Sequence, residues 1–191
     1  LGLCTRGTVA RPQAFAHGAQ TAEGEPVAVC GTQALVTLPA LGAVTLLPAG
    51  GGQSQPRAFA KRLEAGVLLQ NERVAMQVDQ GHVISYTLDG REMAAGRPMN
   101  VLRMYKDVPR IFDAWDIDSN YREQEACTAR ADTLELLKEE GFSVSVRWTG
   151  SIGRSAVTQV ITLRTGSPVA EFDTTIQWRE LHRLLKVEFP V

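Results

Sequence analysis

Three carboxylates, Asp113, Asp116 and Asp118, fall in one short run with Phe112 and Trp115, and no turn-forming residue separates them. Read as an extended segment, the run points Asp116 and Asp118 to one face and Asp113 to the other. A retaining glycosidase needs two carboxyl groups roughly 5 to 5.5 Å apart that flank the scissile bond from opposite sides. Asp116 and Asp118 would approach from the same side, with backbones about 6.5 to 7 Å apart. A calcium loop is also a poor match, because the glycine turn and the distal glutamate are missing. The four residues Asp113, Trp115, Asp116 and Asp118 are therefore candidates for contact with a substrate or a neighbouring domain, with structural ties favoured over catalysis. The Trp115 indole suits sugar stacking or interface anchoring if exposed, and a core position with its N–H satisfied if not. Carboxylates facing both ways call for partners from other segments.

A second set of reactive types is Glu180, His182 and Glu188. An acid and a base of these types could serve sugar-ring chemistry. Glu180 and His182 also sit at an expected corner between strands, where polar side chains satisfy turn backbone, and that reading is the stronger. His17, His82 and His182 are isolated from one another. Cys4, Cys30 and Cys127 are odd in number, far apart and without a C-x-x-C pair. Neither a disulfide framework nor a zinc site fits, so no cofactor or metal site is expected in this chain and a reducing cytoplasm is the simplest setting.

The 191 residues suffice for a real core, and the formal charge of −1 argues against a nucleic-acid or anionic-membrane surface. No apolar run reaches the ~18 residues of a membrane span. The chain starts at Leu1 without a charged leader segment, which is expected of a piece of a longer protein.

The elements that must position these residues read as all-β. Short β-prone runs at residues 27–30, 34–39 and 42–48, with a turn at Pro39-Ala40-Leu41-Gly42, predict a small β unit over residues 1–49. Residues 50–66 read as a connector: the glycine run Gly50-Gly51-Gly52 has no Lys-Ser/Thr after it and no strand-to-helix context, so it is not a phosphate loop. From residue 67 strands follow one another. Val74, Met76 and Val78 alternate with polar residues, and Asp79-Gln80-Gly81 and Asp89-Gly90 are hairpin turns. Residues 133–138 have helical propensity, but the run is short and stops at Glu139-Glu140-Gly141, so a strand is predicted. Phe142, Val144, Val146 and Trp148 hold a period of two, and Val157, Gln159, Ile161 and Leu163, then Ala170, Phe172, Thr174, Ile176 and Trp178, continue it. Such a meander cannot bury its apolar face alone. An antiparallel β-sandwich over 67–191 is predicted.

Two ordered blocks carry a resemblance. Asp107-Val108-Pro109 followed by Phe112-Asp113-Ala114-Trp115-Asp116-Ile117-Asp118, and the run from Trp178-Arg179-Glu180-Leu181-His182 to Lys186-Val187-Glu188-Phe189-Pro190, resemble signatures of family 38 α-mannosidases, in the β-rich region after their catalytic domain. Phe112 stands where that family usually has a tryptophan. The resemblance implies a sandwich similar to that of galactose mutarotases, incomplete in this chain. It implies a parent that hydrolyses terminal α-linked mannose by a retaining, zinc-assisted mechanism, with the zinc and nucleophile in a preceding catalytic domain. The implied partners are that catalytic domain and a mannose-containing oligosaccharide. Raw sheet edges add the expectation of a homo-oligomer or strand exchange. A self-standing carbohydrate-binding or interaction sandwich and a mutarotase-like isomerase remain the alternatives to a non-catalytic mannosidase domain.

Overall fold

The structure is a computed structural model that describes residues 5–10, 18–30, 33–50, 57–94, 96–112 and 115–191. Among them the chain is built of β-strands paired antiparallel, and no helix is long and apolar enough to cross a membrane. It divides into two compact units at Arg57/Ala58.

The first unit is a five-stranded sheet of β1 (Thr5–Ala10), β2 (Ala19–Thr21), β3 (Pro26–Cys30), β4 (Gln33–Leu38) and β5 (Leu46–Pro48), in the order β1-β4-β3-β2-β5. Its core is small, formed by Ala19, Val27, Ala34 and Val36 with Val29 and Leu46 against them. The Gly42 N–H closes the expected turn onto the Pro39 carbonyl. The glycine run falls mostly on residues 51–56, outside the described residues.

In the second unit a six-stranded sheet contains β6 (Ala58–Arg62), β7 (Val67–Gln70), β8 (Val74–Asp79), β9 (His82–Leu88), β10 (Arg91–Glu92) and β14 (Glu140–Gly141). Four strands form a second sheet: β13 (Arg130–Lys138), β15 (Ser143–Ile152), β16 (Ser155–Arg164) and β17 (Ala170–Gln177). A third has three, β12 (Glu125–Thr128), β11 (Val101–Lys106) and β18 (Arg183–Glu188). Both hairpin turns have two residues at positive φ, Gln80 with Gly81 and Asp89 with Gly90, the geometry whose twist matches paired strands.

Inward residues of all three sheets meet in one core. Val67, Leu69, Val74, Met76 and Val78 of the six-stranded sheet join Val144, Val146, Trp148, Val157, Ile161 and Leu163 of the four-stranded one, with Leu102 and Met104 from the third. A fully buried side chain of this size contributes about 1.5–3 kcal/mol. Ion pairs such as Arg73–Asp89, Arg147–Glu135 and Arg164–Glu171 are exposed and screened by solvent, so they add little. Burial, not surface charge, holds the sandwich together.

Two expectations are corrected. Residues 58–62, read as part of a connector, form β6, because Ala58 and Ala60 turn inward to the core while β7 and β14 pair with the strand on its two sides. Of residues 111–118, read as an extended strand, the described ones, 111, 112 and 115–118, lie outside any strand. After β11 ends, Phe112 takes φ +60° and its carbonyl accepts the N–H groups of Trp115 (2.8 Å) and Asp116 (3.0 Å). This tight turn leads into a 3-10 helix at Ser119–Glu123. Residues 133–138 are strand, as expected, because they pair with β15 and turn Leu134 and Leu136 toward the core.

Candidate functional site

The loop between β11 and the 3-10 helix carries the candidate residues. Trp115 is 90% exposed and Phe112 70%, and Val108, Ile111 and Ile117 are exposed with them. Asp116 is exposed, Asp118 lies 3.8 Å from the Arg110 guanidinium, and Asp113 falls outside the described residues. Trp115 is thus at the surface, not in the core. Among the described residues the loop carries its apolar side chains at the surface.

Immediately after the loop the chain builds a polar cavity of about 560 Å³ over β11 and β18. Arg103 lies across the sheet, its Nε donating to Glu188 (2.9 Å) and its Nη1 to Glu125 (2.8 Å). Tyr105 donates its hydroxyl to Glu188 at 3.1 Å, and its ring meets Tyr121 edge-on at 5.2 Å. Lys186 donates to the Tyr121 hydroxyl (2.8 Å) and rests 4.2 Å above its ring, while Arg122 donates to the same oxygen at 3.1 Å. Those donations, from Arg122 first and then Lys186, pull the Tyr121 hydroxyl below the usual phenol range. The Arg103 guanidinium holds Glu188 below the usual carboxylate range. Every carboxylate facing this cavity is already matched by a cation or a donor.

Glu180 serves the backbone, as the corner reading expected. Its side chain is 8% exposed and accepts the Arg154 N–H and the Ser155 hydroxyl where β16 begins, and the Arg154 bond leads the causes that lower its pKa. A Cβ at Gly153, which takes φ +59°, would come within 2.7 Å of the Glu180 carboxylate, so the carboxylate would have to give way. His182 is exposed at φ +50°, with its carbonyl held by the Asp107 N–H. Glu180 and Glu188 therefore face different partners, and only Glu188 lines the cavity. Among the described residues no three of His, Cys, Asp and Glu gather in a way that could hold a metal ion.

Glu92 shows the same use of acid groups most strongly. The Ser85 hydroxyl (2.6 Å) and the N–H groups of Tyr86 and Ala94 (2.9 Å each) bring its pKa down to about 2. A carboxylate depressed on folding adds stability above its unfolded pKa, near ~4.3, and loses it as pH falls through the folded value. The melting temperature is expected to fall as pH drops from about 4.3 toward about 2. Glu92→Gln should flatten that fall relative to the native chain, and an unchanged pH profile would refute the assignment.

The sequence reading missed Arg103, Tyr105, Tyr121, Arg122 and Lys186, which come together from β11, the 3-10 helix and β18 with no local signal. It placed Gln159 on an inward face without asking what a buried amide does there; the lone polar residue in that run was the available signal. Gln159 is 2% exposed and accepts from the Trp148 indole N–H (2.8 Å) and from Asn100 Nδ2 (2.6 Å), and it donates to Thr174 (2.7 Å).

The described residues form an antiparallel β-domain in which Glu92, Glu180 and Glu188 are tied to its own backbone and cations, beside a loop of exposed apolar residues. The comparisons name its kind. The family model of the glycosyl hydrolases family 38 C-terminal domain matches residues 69–191. Alpha-mannosidase 2C1 of Homo sapiens is 32% identical over 167 residues, covering 82% of this chain and 16% of that protein. The Mus musculus protein of the same name is 32% identical over 178 residues, covering 84% and 17%. The chain belongs to glycosyl hydrolases family 38, in the C-terminal domain of that family, and spans about a sixth of the length of these curated relatives.

Proposed function

We propose that this chain is the accessory β-domain of an α-mannosidase and that its loop 107–118 packs against the catalytic domain beside the cleft that takes terminal α-linked mannose. The observation that carries this reading is the set of exposed apolar side chains on that loop, Trp115 foremost. Isolated exposed apolar residues are ordinary, but several on one loop mark an interaction surface, and a tryptophan is the commonest anchor of such a surface. The α-mannosidase relatives, of which this chain covers about a sixth, leave ample polypeptide for the catalytic domain.

A retaining mechanism needs one carboxylic acid kept protonated by a raised pKa. Among the described residues the shifted carboxylates, Asp89, Glu92, Glu171, Glu180 and Glu188, are all moved down, toward the ionised form. That supports leaving the acid, the nucleophile and the zinc to the catalytic domain. Cys30 and Cys127, both unpaired thiols, suit a reducing, cytoplasmic setting.

Two measurements test the proposal. The 191-residue chain should not turn over an aryl α-mannoside with zinc present; turnover would return Asp113, Asp116, Asp118 and Glu180 to catalytic candidacy. In the parent enzyme, Trp115→Ala should weaken the domain contact by about 2–4 kcal/mol, read as faster thermal inactivation. An inactivation rate equal to that of the unaltered enzyme would overturn the docking role of the loop.

A further inference from the structure

The polar cavity over β11 and β18 holds three cations, Arg103, Arg122 and Lys186, against two carboxylates, Glu125 and Glu188. Its charge is net positive and unevenly spread. Arg103 takes both carboxylates, Glu125 at 2.8 Å and Glu188 at 2.9 Å. Among the described residues Arg122 and Lys186 form no ion pair with a carboxylate. What they share instead is one neutral acceptor, the Tyr121 hydroxyl oxygen, 3.1 Å from Arg122 Nε and 2.8 Å from Lys186 Nζ. That sets the two cations within roughly 6 Å of each other, where like charges repel. An anion between them would relieve the repulsion.

The three groups make a fork of donors. The Arg122 guanidinium keeps its two terminal nitrogens, and the Lys186 ammonium keeps N–H groups beyond the one given to Tyr121. The Tyr121 oxygen already accepts twice, so its own hydrogen is left to donate. Charge-assisted bonds from such groups to an oxyanion are roughly twice as strong as neutral ones. A carboxylate has two oxygens for these three donor groups, whereas a phosphate monoester has three. The opposite wall has the complementary chemistry. Glu125 uses only Oε1, on Arg103 and Thr128, and Glu188 takes one donor at each oxygen. Both carboxylates therefore keep lone pairs for the hydroxyl groups of a ligand.

We propose that this cavity binds a sugar phosphate, with the phosphate held by Arg122, Lys186 and the Tyr121 hydroxyl, and the sugar hydroxyls donating to Glu125 and Glu188. The volume of about 560 Å³ lies in the range of small-molecule sites. The site uses no residue of loop 107–118, so it stands or falls apart from the docking proposal.

Titration calorimetry on the parent polypeptide tests this, with glucose 6-phosphate as the probe and glucose and inorganic phosphate beside it. A glucose derivative is used because a cleft that takes mannose differs from it at the C2 hydroxyl. Glucose 6-phosphate should bind saturably, about ten-fold or more tighter than inorganic phosphate, and glucose alone should not saturate. Arg122→Gln and Lys186→Gln each remove one charge from the fork and should weaken glucose 6-phosphate about ten-fold or more. Arg122 is exposed on the 3-10 helix, so Arg122→Gln should keep the melting temperature of the unaltered protein, and its affinity is then read on a folded chain. Absence of binding to the parent would overturn the proposal, as would an affinity unchanged in Arg122→Gln. Equal affinities for glucose 6-phosphate and inorganic phosphate would overturn it too, because Glu125 and Glu188 would then have no part in recognition.

Discussion

Trp148→Ala is expected to lower the unfolding free energy by about 3–5 kcal/mol, the range for deleting a fully buried large aromatic. The side chain is 1% exposed at the centre of the sandwich, on β15. Its indole rings lie against the β8–β9 turn of the opposing sheet, where a Cβ added at Gly81 would come within 3.0 Å of them. The backbone there cannot collapse into the space, because Gly81 and Gln80 already occupy the narrow positive-φ geometry of a two-residue turn. The vacated volume should persist as a cavity, which places the cost toward the upper end of the range. Urea unfolding of the two chains would measure it, with the slope unchanged and the midpoint lowered. A loss below about 1 kcal/mol would mean that the core closes over the site.

Gln159→Leu should cost about 2–5 kcal/mol even though it replaces a polar residue with an apolar one of similar size. The reason is the partners that it strands. Without the amide, the Trp148 N–H and the Asn100 Oδ1 lose their bonds, and an unpaired buried polar group costs about 1–3 kcal/mol. Asn100 Nδ2 keeps its bond to the Gly81 carbonyl, so the network is damaged and not dissolved. Thr174 lies at the surface and can turn to water. Repeating the substitution in a Trp148→Phe background should make it cheaper by about 1 kcal/mol or more, since the indole N–H is no longer there to be orphaned. Equal costs in the two backgrounds would show that the Trp148–Gln159 bond contributes nothing.

Much of the sandwich was legible in the sequence because strand periodicity is local. The alternation from Phe142 to Trp148 requires one buried face wherever the strand ends up, and Val144, Val146 and Trp148 occupy it. Asp79-Gln80-Gly81 and Asp89-Gly90 are equally local, since few residues tolerate two successive positive φ values. The two blocks that resemble family 38 lie in the region matched by its C-terminal domain, so family membership was carried by the sequence as well.

Three matters were decided only by the tertiary structure. Residues 111–118 have the composition of a strand, but the described ones among them join no sheet, and the Phe112 carbonyl takes the N–H groups of Trp115 and Asp116 while Trp115 stands outward. The cavity cluster depends on β11 lying between β12 and β18, which brings Arg103 to Glu125 and Glu188 and places Lys186 over Tyr121. The strand at residues 58–62 is paired on both sides, by its hairpin neighbour β7 and by β14, distant in sequence, along Phe59. A residue's own pattern sets which face it shows, whereas which strands become neighbours, and therefore which charges are paired and which edges stay open, is set by long-range packing that no local period encodes.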